Sequence, residues 1–146
     1  MYIGFQHLHS SLAYLALALL IGAFVFALVD RIQKKPYSTS LKKLSLWALI
    51  GSHFQLVIGL ILYFISPLGF SNFSGENMSN AVARLYMLEH PFMMIIAIIA
   101  ITIGYSKSKK DVPDARKQMM LILGYGIGLI LMLSRIPWDA WPSFLN

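Results

Sequence analysis

Four histidines, two arginines and one glutamate stand where an otherwise apolar chain gives them no obvious place. His7 and His9 fall in "QHLHSS", His53 in "GSHFQ", and Arg84, Glu89 and His90 in "ARLYMLEHPF". Arg135 closes the set in "SRIPW". Imidazole titrates near neutrality and is the commonest metal ligand among side chains. Arginine pairs bidentately with carboxylates. Two histidines that reach one point from different helices suit axial ligation of a haem iron, and the arginines suit its propionates. Other chemistry has less to stand on. The chain has no cysteine, which excludes disulfides, thiolate metal sites and covalent haem attachment. No phosphate-binding glycine loop and no H-E-x-x-H motif occurs. Ser10 and Ser11 lie near His9, but no third group completes a triad. His7 and His9 are two apart and point to different helix faces. With Glu89 they form a further alternative, a copper or zinc site.

The elements that must hold these residues follow from composition. Hydrophobic residues make up 58% of the 146 and charged residues 12%, about half the usual charged share. A soluble core of this length cannot hide so much apolar side chain, so lipid is the expected solvent. Four apolar stretches run over about residues 8–29, 44–65, 81–105 and 119–137. Each approaches or exceeds the ~20 residues that cross a hydrocarbon core. In lipid the backbone must satisfy itself, so each stretch is expected to be a helix. Short polar loops predict a single all-α domain, an integral membrane four-helix bundle with antiparallel neighbours. Met1 to Leu8 lacks the basic residues of a secretory signal, so the first stretch reads as a retained span.

Charge orients the bundle. The formal net charge is +6, and ten of the twelve basic residues flank the first and third connections. The positive-inside rule puts those connections in the cytoplasm and both termini outside, as in a multi-pass protein of the bacterial inner membrane. The clustering of charge beside apolar runs argues against a nucleic-acid partner. Tyr2, Phe5, Phe70, Phe73, Trp138 and Trp141 are expected as interfacial anchors, with "PWDAWPSFLN" lying along the outer surface.

Depth counting then groups the histidines. From boundaries at Ala81 and Ile65, His90 lies about 14 Å deep and His53 about 18 Å, while His9 is within about 8 Å of the outer end. This makes His53 and His90 nearly level. Diagonal placement of the first and third helices instead favours His9 or His7 opposite His90. His90 belongs to either pairing; His53 ranks second and His9 third. Met87, Met94 and Ala97 share a helical face with His90 and are expected to wall the haem slot. Glu89 sits about 100° from His90 and is free to pair with an arginine, take a proton or bond an imidazole elsewhere. Pro91 leaves the Met87 carbonyl without its usual donor, which either kinks the helix or requires a neighbouring hydroxyl. Gly124 with Gly128, and Ala18 with Gly22, have the spacing of close helix contacts.

The stretches "HLHSSLAYLAL", "GSHFQLVIGLILYFISP", "ARLYMLEHPFMMIIAIIAITIG" and "SRIPW" cover most of the spans. They resemble a group of small four-helix membrane proteins, typical of the Bacteroidetes and labelled cytochrome b-like. The most specific parts surround His9, His53 and "EHP". The resemblance implies haem b and electron transfer. This chain departs from larger cytochromes b in having no histidine in its fourth helix, so one bis-histidine haem is the most it supports. The expected role is one-electron transfer beside other membrane subunits, with a quinone or a partner cytochrome as redox partner. Two other classes compete: a haem-free accessory subunit whose polar residues only join helices, and a proton or metal-ion pathway through Glu89 and the histidines.

Overall fold

The computed structural model describes residues 1–141. Four long helices carry it: α1 (Tyr2–Ile32), α2 (Thr39–Ile65), α3 (Ala81–Ser108) and α4 (Asp114–Ser134). Each is long and apolar enough to cross a membrane, and the described residues contain no strand. α1 starts six residues before the apolar stretch does, because "QHLHSS" continues the helix. α2 starts at Thr39, where the Ser38 hydroxyl accepts from Leu41 N–H at 3.1 Å and caps the first turn. Asn80 does the same for α3, accepting from Val82 and Ala83 N–H, both at 3.0 Å.

The helices form a ring. α1 packs on α2 and α4, and α3 packs on the same two, so α1 and α3 are diagonal. The closest approach is between α3 and α4. A Cβ on Gly124 would lie 2.6 Å from Gly104 Cα, and one on Gly128 would lie 2.5 Å from Ile101 Cγ1. Backbone meets backbone here, and nothing larger than glycine fits. Gly22 makes no such contact, since a Cβ there would meet only Leu44 Cδ2 at an ordinary 3.8 Å, and Ala18 is exposed.

One half of the bundle has its helices closely packed. Leu20, Ala23, Leu41, Ala48, Leu121 and Tyr125 are wholly buried there. Two of the polar side chains it buries bond to backbone of another segment, while the Ser45 hydroxyl is buried without a partner among the described residues. Tyr125 donates to the Ser45 carbonyl at 2.6 Å, and Gln118 to the Lys35 carbonyl at 2.9 Å. Tyr37 N–H donates to Asp114 Oδ2 at 3.0 Å, which joins the two basic connections at one end. Satisfied donors of this kind fix the pairing of helices where apolar contact alone has little direction.

Candidate functional site

At the other end the bundle is hollow. All four helices line a cavity of about 220 Å³ that holds His9 and His90. Their ring centroids are 6.3 Å apart, with the planes at 84°. The two residues come from the diagonal helices, so they meet across the middle of the ring.

Each imidazole has its own support. A Cβ on Gly59 would lie 2.9 Å from His9 Cε1, so the missing side chain makes room for the ring against α2. Gln55, one turn earlier on the same helix, donates its amide N–H to the His9 carbonyl at 2.8 Å. The same nitrogen lies 3.2 Å from His9 Nδ1. His90 is fixed from the opposite side: its Nδ1 lies 2.8 Å from the Arg135 carbonyl. A carbonyl only accepts, so His90 Nδ1 carries the proton and Nε2 keeps its lone pair. For His9 the tautomer depends on Gln55. With the amide nitrogen donating, the ring proton sits on Nε2. Turning the amide over would present Oε1 to Nδ1–H and free Nε2, at the loss of the bond to the His9 carbonyl. Gln55 Oε1 is buried with no described partner, so the present arrangement leaves an acceptor unused.

The approach to His90 is unusual in its backbone. Leu85–Glu89 is a π-helical turn, in which His90 N–H bonds to the Leu85 carbonyl five residues back. Pro91 follows with no N–H of its own. The Met87 carbonyl it leaves without a donor accepts from the Tyr63 hydroxyl at 2.9 Å. The wide turn also rotates Met87 away from the face of His90. Of the three expected slot residues only Met94 lines the cavity; Met87 and Ala97 are wholly buried outside it.

Glu89 binds both arginines. Its Oε1 accepts from Arg84 Nε at 2.7 Å, and its Oε2 pairs with Arg135 Nε at 3.2 Å, too poorly aligned for a hydrogen bond. Arg84 also donates to the Met78 carbonyl at 2.9 Å. Glu89 and His90 face different ways, yet both take hold of Arg135, one by its guanidinium and the other by its carbonyl. Together they tie the start of α3 to the end of α4. The tail adds a further strap: Trp141 Nε1 donates to the Ser10 carbonyl at 3.0 Å, its ring is 4.6 Å from that of Tyr14, and it lines the cavity. The rest of "PWDAWPSFLN", residues 142–146, lies outside the described residues.

His53 and His7 are placed elsewhere. His53 is exposed, with Nδ1 2.9 Å from the Leu49 carbonyl and Nε2 3.4 Å from Thr102 Oγ1. Its level is that of Thr102, more than three turns from His90. The depth estimate took Ile65 and Ala81 as level, whereas Tyr63 already stands opposite Met87. That offset separates His53 from His90 and brings His9 to it. His7 is exposed and does not line the cavity. Sequence reasoning assigned no role to Gln55, Gly59 or Tyr63. The four-residue spacing of Gln55, Gly59 and Tyr63, which gives them one helical face, was the available signal.

The donor set limits what could be held here. No group of three or more His, Asp or Glu that could hold a metal ion occurs among the described residues. A metal held by protein side chains alone takes three or four ligands. Two imidazoles suffice only where another ligand supplies the rest. Metal–nitrogen distances of about 2.0–2.1 Å on each side, added to the two ring radii, put the centroids about 6 Å apart. The observed spacing matches that. No protein-family model, curated protein or solved structure matches the chain. The geometry therefore has to carry the functional reading.

Proposed function

We propose that the chain is a small membrane b-type cytochrome with one haem held between His9 and His90. The observation that carries this reading is the pair of imidazoles from diagonal helices in one cavity, 6.3 Å between centroids, with no group of three or more His, Asp or Glu suited to a metal ion among the described residues. His9 and His90 would be the residues that hold a haem iron here. The earlier resemblance to cytochrome b-like membrane proteins implies the same chemistry.

Bound haem supplies a one-electron iron centre. The chain's own residues do the rest. The Arg135 carbonyl orients His90 and raises its basicity. Gln55 does the same for His9 once its amide oxygen faces Nδ1. Leu56, Met94 and Ile98 keep water from the cavity wall. Arg84, Glu89 and Arg135 leave one net positive charge beside His90, which favours a carboxylate near the mouth. In this reading the helices span the bacterial inner membrane with the basic connections in the cytoplasm, and electrons pass to or from a quinone or a partner protein. The test is a reduced-minus-oxidised spectrum of the purified chain. The expected result is the α band of a low-spin b haem; folded protein with no extractable haem rules the reading out.

A further inference from the structure

The basic end holds a second cavity, which has no part in the haem reading. It encloses about 230 Å³. Lys42 from the first turn of α2, Lys109 just after α3 and Lys117 from the first turn of α4 all line it, with Tyr37, Ser38 and Thr39. Three lysines from three separate elements thus line one space. Lys117 is the most enclosed, with its side chain 22% exposed. It is braced 3.5 Å from Asp114 Oδ1 and 5.8 Å from the centre of the Tyr37 ring. Lys109 is held over the Tyr105 ring at 5.2 Å. Packing of this kind fixes long side chains that are otherwise free to turn outward.

Charge in the cavity is not balanced. Asp114 is the carboxylate beside it, and that group already serves Tyr37 N–H and Lys117. Three positive charges against one negative leave two in excess. Burial raises the Tyr37 hydroxyl above its ordinary value, so it stays a neutral O–H. Ammonium groups around a polar space suit an anion with several oxygens, and lysine is a regular phosphate partner.

We infer that this cavity binds a phosphate group, carried by an anionic phospholipid headgroup or free in solution. The helices that frame it are apolar and long enough to span a membrane, and the cavity lies at their ends, where headgroups lie.

The full chain in detergent is titrated with phosphatidylglycerol, phosphatidylcholine and inorganic phosphate, with binding read by native mass spectrometry. Phosphatidylglycerol should bind the wild type well above phosphatidylcholine. Replacing Lys42, Lys109 and Lys117 together by Gln should weaken it about a hundredfold, at roughly fivefold per lysine. A control with Lys34, Lys43 and Lys110 replaced by Gln loses the same charge at the same end and should lose less than about fivefold. Because Lys117 is partly enclosed, the single exposed variant Lys42→Gln is measured too and should lose about fivefold. Inorganic phosphate that binds as tightly as the lipid, with the same dependence on the three lysines, would make free phosphate the ligand. Equal losses in both triple variants, or equal binding of phosphatidylcholine, would overturn the inference. None of these readouts depends on haem.

Discussion

The two halves of this bundle are built to opposite rules. In the half toward the basic end, α3 and α4 touch backbone to backbone through Gly104 and Gly124, and the Tyr125 hydroxyl and Gln118 amide bond to backbone of other segments. In the other half a missing side chain leaves space instead: Gly59 makes room for the His9 ring beside a cavity of about 220 Å³. Glycine serves both halves, once to bring helices together and once to admit an imidazole. The closed half supplies stability, and the open half holds polar groups that packing alone does not require.

Substitutions should separate these roles. The largest loss of stability is expected from Gly124→Leu, which drives a side chain into the Gly104 backbone. It should cost about 3 kcal/mol or more, read by denaturant titration in detergent. Tyr63→Phe comes next, at about 1–3 kcal/mol, because Pro91 leaves the Met87 carbonyl no other donor. Adding Pro91→Ala should recover part of that loss, which a general packing defect at Tyr63 would not allow. Glu89→Gln should cost about 1 kcal/mol, since its ion pairs are partly exposed. Its signature is a loss that shrinks as salt rises. Gly59→Ala should change stability least, by under about 1 kcal/mol, because the atom it meets belongs to a side chain that can shift. It should still displace the His9 ring and weaken haem retention. Equal destabilisation by Gly124→Leu and Gly59→Ala would break the contrast between the halves.

Much of the architecture was legible in the sequence, for a simple reason. A helix able to cross a membrane must be long and apolar, and "LAYLALALLIGAFVFALV" is both. Ring order also followed from short connections. The site was less legible because it depends on register between helices, which no single helix encodes. Counting from Ile65 and Ala81 made His53 level with His90, and only the Tyr63–Met87 bond shows how far α3 is offset. The π-turn at Leu85–Glu89 likewise turned Met87 out of the expected slot. For Glu89 the sequence offers arginine pairing as one of three roles, and the structure shows it with Arg84 five residues back and with Arg135, forty-six residues away at the end of another helix. Pro91 was read correctly as a gap in hydrogen bonding, but the hydroxyl that fills it could not be named.

The proposed haem would be held by His9 and His90. Haem content per chain, measured in purified His9→Ala, His90→Ala and His53→Ala beside the wild type, tests it most directly. His9→Ala and His90→Ala should each abolish the low-spin b spectrum, and His53→Ala should keep it at near wild-type content. Loss in His53→Ala with retention in His9→Ala would contradict the assignment, and a colourless wild type would contradict the function itself.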